Sequence, residues 1–504
     1  MDFSYRESID LRDAPCLGGE AFAAEVQSRM EKGFRVSAFF GLPHGWDAED
    51  AAPHTQGQGV ELAAVLCRGS DSLSCVLRSR PLAAYPSLTP ACAALHWFER
   101  EVHEQWGVIP EGHPWLKPIR FHAPASSPAK RPLPAQTVYF AADGAQVHEV
   151  AVGPVHAGVI EPGHFRFQCL GEEVLHLEIS LGFQHRGIER MLAGGPDALT
   201  MHLMENAAGD TSIGHSFAHC ALLEALTRTD PAPRGQMLRR VALELERLAN
   251  HTGDLGALAG DVGFLPTLAY CGRIRGDFLN MTALLCGKRF GRGLLTPGGT
   301  KLDLDEDLGA RLLERLASAC RDARGAVDLS LHSDTVRARY EDCGPVSTDL
   351  ARACGLVGVA ARASGLARDA RVQFPPAGAA PDDIPLSTCD SGDVYARAVV
   401  RSRELDSSAA FVRRAVCALP EGPIAAPLPA LPPHRMAVGI IEGWRGEICH
   451  VALTGAQGRF AAYKIVDPSF HNWFGLALAL RGQQISDFPL CNKSFNLSYC
   501  GHDL

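Results

Sequence analysis

The sequence predicts an α+β protein: an N-terminal α/β sandwich domain, then a large, mainly helical domain with small antiparallel sheets at its start and near its C-terminus. Three observations support this prediction. The 504 residues are too many for one ordinary domain. A Pro- and Ala-rich stretch interrupts the chain about a quarter of the way along. Behind it, apolar residues repeat over long stretches with the period of a helix.

The interruption lies at residues 122–136, where the chain reads HAPASSPAKRPLPAQ. Prolines, alanines and serines around two adjacent basic residues are typical of an extended, solvated linker. We therefore assign residues 1–121 to a first domain, residues 122–145 to the linker and residues 146–504 to a second domain.

Local patterns predict the elements within each domain. The first domain mixes short apolar runs, such as residues 60–66, with helical patterns. The second opens with two strand-like runs that predict a β-hairpin turning at Gly171 and Glu172. The hairpin strands are predicted at residues 163–170 and 173–179, helices at residues 233–260, 308–331 and 348–370, and alternating strands at residues 436–465.

Composition and charge exclude several classes of protein. A net charge of -9 gives no reason to expect nucleic-acid binding. No apolar run approaches the roughly 18 residues of a membrane-spanning helix. The first residues also lack the basic flank and apolar core of a secretory signal. We therefore expect a cytoplasmic protein that contacts a membrane only through partners.

The sixteen cysteines are spread from Cys16 to Cys500, and no two form a Cys-x-x-Cys pair. Iron–sulfur clusters and structural zinc sites usually take two ligands from one such turn. Most of these cysteines are therefore expected to be small buried hydrophobic residues. The chain also lacks a Gly-x-Gly-x-x-Gly fingerprint before a helix, so any nicotinamide chemistry would belong to another subunit.

Two sets of motifs carry a resemblance to a known family. The string HWFEREVHEQWGV at residues 96–108, followed by EGHP at 111–114, resembles the 30-kDa-type subunit of respiratory complex I. Later strings resemble the 49-kDa-type subunit and the large subunits of group 4 (energy-converting) nickel–iron hydrogenases. These are GPVHAGVIEPGH (153–164), GFQHRGIE (182–189), ELERLANH (244–251), RFGRGL (289–294) with PGG (297–299), GWRGE (443–447) and DFPLCNKSF (487–495). Fusion of the two parts is the hydrogenase-type arrangement.

The metal-binding positions of that family are changed here. The resembling hydrogenases hold nickel and iron with four thiolates, in motifs Glu-Arg-x-Cys-Gly-x-Cys-x-x-x-His and Asp-Pro-Cys-x-x-Cys. Soft anionic sulfur is what such a centre requires. The aligned positions in this sequence hold Ala208, Thr211, Ser498 and Gly501, and neither alanine nor glycine offers a side-chain ligand. The resemblance therefore implies a hydrogenase-related form without a nickel–iron centre.

The resemblance to complex I implies a different use of the same cavity. Those subunits bind a quinone headgroup there, between a histidine and a tyrosine. The histidine corresponds to His164, whereas the tyrosine position aligns with Gly209. Glu161 matches a proton-relay glutamate of the hydrogenases, and Asp210 and His215 stay polar. The four candidates for residues of this cavity are therefore Glu161, His164, Asp210 and His215. The alternatives are that His164 caps a strand, that Glu161 is a surface carboxylate, and that the other two residues line an empty, solvated cleft.

His185 and Arg186 resemble the pair near the terminal iron–sulfur cluster of a partner subunit. An arginine near a cluster raises its potential by favouring the more negative reduced form. The alternative is an arginine that anchors a strand-to-helix turn.

The resemblance implies a subunit of a membrane-associated oxidoreductase complex. It would pair with a small iron–sulfur subunit, dock on antiporter-like and other membrane subunits, and pass electrons to a quinone-like acceptor without nickel–iron chemistry or a redox cofactor of its own. The alternative is a non-catalytic scaffold or coupling subunit of such a complex.

Overall fold

The computed structural model describes residues 1–48, 59–125, 137–157, 159–380 and 382–504. Residues 126–136, which form the centre of the predicted linker, lie outside the described residues. None of the helices in these ranges combines the length and the apolar character that a membrane-spanning helix needs.

The N-terminal part is built on a sheet of five strands. Its order is β1-β6-β5-β4, with antiparallel neighbours, and β3 adds to β6 in parallel. The helices α1 and α2 both pack against β4. The elements are β1 (Asp2–Ser4), β2 (Ile9–Asp10), β3 (Cys16–Leu17), α1 (Gly19–Glu31), β4 (Arg35–Gly41), β5 (Leu62–Arg68), β6 (Leu73–Ser79), β7 (Ala84–Pro86), α2 (His96–Trp106) and β8 (Ile109–Glu111).

The second part begins with a three-stranded antiparallel sheet, continues as helices and ends on a second antiparallel sheet. Its first half contains β9 (Val147–Val152), β10 (His164–Leu170), β11 (Glu173–Ser180), α3 (Ile188–Leu192), α4 (Thr200–Glu205), α5 (Ser212–Thr227), α6 (Pro233–Asp261), α7 (Leu265–Cys286), β12 (Leu295–Thr296), β13 (Gly299–Thr300) and α8 (Glu306–Leu331). Its second half contains α9 (Asp334–Tyr340), α10 (Thr348–Ala353), α11 (Gly358–Ala363), α12 (Ala370–Gln373), α13 (Val394–Cys417), β14 (Arg435–Glu442), β15 (Glu447–Thr454), β16 (Phe460–Val466), α14 (Pro468–Ala479), α15 (Phe488–Phe495) and α16 (Tyr499–His502).

These elements confirm the predicted fold class and most of the predicted local structure. The hairpin β10–β11, the helices α6 and α8 and the strands β14–β16 lie where the patterns place them. Most of the cysteines are buried, as expected.

The continuous helix predicted at residues 348–370 is wrong. Short helices lie there instead. The break between α10 and α11 contains Gly355 and ends at Gly358, and the φ angles of these two glycines are +70° and +64°. A Cβ on Gly358 would lie 2.0 Å from the carbonyl oxygen of Arg445. The left-handed backbone and this close approach both require glycine, so the chain turns where the apolar pattern would continue.

The N-terminal part and the C-terminal sheet share one hydrophobic core. Strand β2 extends that sheet by pairing Ile9 with Met436, giving the order β16-β15-β14-β2. A buried ion group crosses the same contact: Glu101 of α2 pairs with Arg120 and, at 2.5 Å, with Lys464 of β16. The two parts are therefore joined by backbone, apolar and charged contacts.

The Glu101 ion group predicts a dependence of stability on acid pH. Burial alone would raise the pKa of Glu101, but the Arg120 and Lys464 charges outweigh it and lower the pKa to about 2, from an ordinary 4.5. A carboxyl with a lowered pKa stabilises the fold above its unfolded pKa, and this contribution is lost as the pH falls through the folded value. Wild type should therefore lose stability relative to Glu101→Gln as the pH falls below about 4.5. Chemical denaturation over a pH series measures this, and a difference independent of pH would contradict it.

Candidate functional site

The candidate cleft lies where the segment before α5 meets the C-terminal segment that contains α16. The guanidinium of Arg186 joins the two by donating to the backbone oxygens of Ala207 at 2.7 Å and Cys500 at 3.1 Å, besides Asn206 at 2.5 Å. These segments contain Ala208, Thr211, Ser498 and Gly501, the residues that the resemblance aligns with the thiolates of the hydrogenases.

Asp210, just before α5, forms one side of the cleft. It accepts two hydrogen bonds from Arg445 in the β14–β15 turn, at 2.6 and 2.9 Å, and a third from the Thr211 hydroxyl at 3.1 Å. Burial alone would raise the pKa of Asp210, but the Arg445 guanidinium outweighs it and lowers the pKa. The side chain of Asp210 stays 35% exposed while that of Arg445 is 4% exposed. This pair therefore presents an ionised carboxylate to the cleft.

Glu161 approaches from the loop before β10. Its half-buried carboxyl lies near Cys500, whose influence favours the ionised form. Burial raises the pKa of Glu161, and the neighbouring Asp210 adds to this while Arg445 opposes it. A half-buried carboxyl with a raised pKa holds and releases a proton more readily near neutral pH than an ordinary glutamate does.

His215, one turn into α5, lies beneath the cleft. Its ring is fully buried, and its Nε2 lies 3.1 Å from Oδ2 of Asp467, the residue that caps α14. Burial alone would raise the pKa of Asp467, but the hydrogen bond from His215 and the Arg445 charge lower it. A Cβ on Gly501 would meet the Asp467 carboxylate at 2.6–2.9 Å. The Asp467 carboxylate therefore occupies the space that a side chain at position 501 would need.

His164 has different neighbours. Its Nδ1 lies 3.2 Å from the carbonyl oxygen of Gly153, its ring is 5.1 Å from that of Tyr139, and its buried Nε2 has no hydrogen-bond partner among the described residues. Burial lowers the pKa of His164. The structure thus brings Glu161, Asp210 and His215 together around the C-terminal segment, whereas the described contacts of His164 lie on the β9 side of β10.

The ring of His185 packs edge-on against His122, with the centroids 4.9 Å apart. The Arg186 side chain ties the two cleft segments together as described above, which is a structural role. Its place beside an iron–sulfur cluster remains a prediction.

Sequence reasoning did not single out Arg445 or Asp467, and it treated Cys500 only as a cysteine one residue out of register with the thiolate motif; these three residues complete the cleft. Arg445 lies inside the quoted GWRGE string, and the Asp-Pro pair at residues 467–468 is a helix-start signal. Both signals are local, whereas the role of each residue depends on a partner more than two hundred residues away.

Comparisons with known proteins agree with this architecture. Residues 46–136 match the family model of the 30 Kd subunit of respiratory-chain NADH dehydrogenase. Residues 261–438 match the model of the 49 Kd subunit of the same enzyme.

Relatives of known function extend the match. Formate hydrogenlyase subunit 5 of Escherichia coli (strain K12) is 30% identical over 435 residues, which cover 82% of this chain and 76% of that protein. The carbon monoxide-induced hydrogenase of Rhodospirillum rubrum is 31% identical over 355 residues, 69% of this chain and 97% of that protein. NADH-quinone oxidoreductase subunit 4 of Thermus thermophilus is 27% identical over 372 residues, 68% of this chain and 90% of that protein.

Such relatives are subunits of hydrogenase and NADH-quinone oxidoreductase complexes. The chain belongs to the family that unites the 49 Kd-type subunits of NADH dehydrogenases with the large subunits of related hydrogenases, here fused to a 30 Kd-type domain.

The residues present do not fit the nickel–iron centre that the family resemblance brings into question. Thr211 and Ser498 offer only hydroxyls, and these are engaged: Thr211 with Asp210 and Arg445, Ser498 with the backbone N–H of Gly501 at 2.9 Å. Hard hydroxyl oxygens do not replace thiolates on a low-potential nickel. In the part of the chain that the structure describes, no group of three or more His, Cys, Asp or Glu side chains is arranged to hold a metal ion.

Proposed function

We propose that this chain passes electrons from an iron–sulfur cluster of a small partner subunit to a quinone-like acceptor in the cleft, without nickel–iron chemistry. The chain brings no redox cofactor of its own. It sits on the cytoplasmic face of the cell membrane, held there by antiporter-like and other membrane subunits. Residues 1–121 and 146–504 act as two units joined by segment 122–145, and the two family matches support that order.

The observation that carries the proposal is the set of proton-bearing groups around the positions where the resembling hydrogenases hold thiolates. Reduction of a quinone to a quinol takes up two electrons and two protons. Glu161 with its raised pKa, the Asp210–Arg445 pair and the buried His215–Asp467 pair all surround the C-terminal segment at residues 498–501. Such groups hold and move protons, whereas a nickel–iron centre needs soft sulfur.

His164 supports a quinone acceptor through its hydrogen-bonding state. Because the Gly153 carbonyl can only accept, Nδ1 of His164 carries the ring proton and Nε2 is a lone-pair acceptor. The buried Nε2 therefore suits the hydroxyl of a quinol. To donate to a quinone carbonyl, the ring must first take up a proton at Nε2.

The surface around Glu161 supports a partner subunit. In the same loop, Val155 and Ile160 are 86% and 68% exposed. Large apolar side chains exposed on one loop are typical of a surface that another protein covers. Arg186 is exposed and contacts both segments of the cleft, where a cluster in that partner would approach.

The alternative is a scaffold or coupling subunit. Gly209 supplies no hydroxyl where complex I subunits have a tyrosine, and the contacts of His164 are separate from those of Asp210 and His215. Both observations favour a cleft that transmits structural change without binding an acceptor.

Replacing His164 with alanine in the assembled complex tests the proposal. A quinol hydroxyl left unpaired in a buried site costs about 1–3 kcal/mol. We therefore expect quinone reduction to fall at least about tenfold, the equivalent of about 1.4 kcal/mol in the barrier. The measurement is steady-state reduction of a short-chain quinone by the purified complex.

His96→Ala is a matched control. His96 is 4% exposed, and neither of its ring nitrogens has a hydrogen-bond partner among the described residues, but it lies in α2, in the N-terminal part. Its loss should leave quinone turnover near wild type. Unchanged turnover in His164→Ala, with normal assembly, would favour the scaffold instead.

A further inference from the structure

A chain of five buried polar side chains leads from the cleft into the interior. Nε2 of His215 lies 3.1 Å from Asp467, and its Nδ1 lies 3.0 Å from Nε2 of His450. Nδ1 of His450 lies 2.9 Å from the Tyr463 hydroxyl, which lies 2.8 Å from Nδ1 of His219. The side chains are between 0% and 6% exposed.

Three elements bring these groups together. His215 and His219 are four residues apart in α5, so they share one helix face. That face packs on the sheet containing β15 and β16, which contribute His450 and Tyr463. Asp467 follows β16 directly and caps α14. Among the described residues, the side chains of the three histidines and Tyr463 form hydrogen bonds almost entirely with one another and with Asp467. They form no hydrogen bonds to the backbone.

The direction of every hydrogen bond is set once Asp467 is ionised and His215 carries a single ring proton. The Asp467 carboxylate can only accept, so that proton is on Nε2 of His215, and Nδ1 of the same ring accepts from Nε2 of His450. Nδ1 of His450 then accepts from the Tyr463 hydroxyl, and the Tyr463 oxygen accepts from Nδ1 of His219. Burial lowers the pKa of His450 well below its ordinary value, in keeping with a neutral ring. All four hydrogen bonds therefore point one way, towards the cleft.

We propose that this chain is a proton relay that supplies Asp467 at the floor of the cleft. The proposal rests on the proposed function, for which it names a source of protons. One proton is taken up at Nε2 of His219, each N–H or O–H proton moves one bond along, and the Asp467 carboxylate receives one. No electrons move, and His215, His450 and His219 each change tautomer. Asp467, against Gly501, hands its proton on to the reduced acceptor.

A purely structural origin explains the chain less well. A buried cluster of polar groups usually stabilises a fold no better than apolar side chains of the same size. Here five such groups form a single line that begins at the cleft, and each member is both a donor and an acceptor except the terminal carboxylate. That is the arrangement that a proton path requires.

Tyr463→Phe breaks the relay by removing a single oxygen. In the assembled complex we expect kcat for quinone reduction to fall at least tenfold with little change in KM, and the solvent deuterium isotope effect on kcat to rise. Reduction of ferricyanide, which accepts an electron but no proton, should stay at the wild-type rate. Tyr5→Phe is the matched control, because it removes another buried hydroxyl, hydrogen-bonded to the Ile440 carbonyl at 2.8 Å.

Each outcome decides a separate point. Unchanged quinone turnover in Tyr463→Phe would overturn the relay and leave the proposed function standing. An equal loss of quinone and ferricyanide reduction would show a structural role and also overturn the relay. A wild-type complex that reduces ferricyanide but no quinone would contradict the proposed function. In that case redox-induced infrared difference spectra decide whether the relay exists. A signal from protonation of Asp467 in wild type that is lost in Asp467→Asn and Tyr463→Phe supports the relay. The absence of that signal in wild type overturns it.

Discussion

Replacing Arg362 with alanine is expected to lower the free energy of unfolding by about 3–5 kcal/mol, the usual result of removing one partner from a buried ion pair. Arg362 is fully buried in α11. Its guanidinium lies 2.6 Å from Glu442, 2.7 Å from Glu404 and 3.4 Å from Asp369. Without the arginine, three carboxylates would share one buried site with less positive charge to balance them. Chemical denaturation of the purified chain measures the loss.

Arg352→Ala is the control for this prediction. Arg352 forms an ion pair with Asp349 at 2.7 Å, but both side chains are exposed, at 56% and 93%. An exposed pair of this kind contributes about 0–1 kcal/mol. If Arg362→Ala were as mild as Arg352→Ala, the remaining basic residues around Glu404, such as Arg371 at 3.6 Å, would be sufficient to balance its charge.

Gly501→Ala is expected to destabilise the chain by about 1–3 kcal/mol, the usual effect of adding atoms to a filled site. The new Cβ would lie 2.6 Å from Cγ of Asp467, which is fixed by His215 and by the N–H of Ser469. The carboxylate has to move, and its hydrogen bond to His215 is lost with it. Thermal and chemical denaturation measure the effect.

Two further variants show whether the collision is the cause. Gly272→Ala also places a methyl group on a helical glycine, but no atom lies within 4 Å of the new Cβ. It should be neutral or stabilising by up to about 1 kcal/mol. In an Asp467→Ala background, Gly501→Ala should lose most of its effect, because the two residues are in contact. If the losses of stability from the two substitutions were additive, the Asp467 carboxylate would move aside without an energetic cost. A cysteine begins with the same Cβ, so restoring this one ligand position should meet the same obstacle.

Much of the fold could be predicted because its signals are local. The β10–β11 hairpin and α6 follow from alternation and helical periodicity within single stretches of sequence. The region at residues 348–370 could not be predicted this way, since Gly358 is required by the backbone of Arg445, a residue far along the chain.

The candidate site, too, could be predicted only in part. Motif resemblance singled out Glu161, Asp210 and His215 because they lie in or beside recognisable strings. His450 and Tyr463 carry no local signal: each looks like an ordinary residue of a buried strand. Only the fold brings His450 to His215, across a separation of 235 residues, and no pattern within either strand indicates that contact.

The pairing of β2 with β14 affects the order of events during synthesis. Ser8, next to β2, accepts its hydrogen bond from Arg435, 427 residues later. At roughly 5–20 residues per second, a ribosome needs on the order of 20–90 s to supply that partner. Until then β2 and the apolar surface around it have no finished sheet to join. The sheet is therefore completed only after β14 has been made.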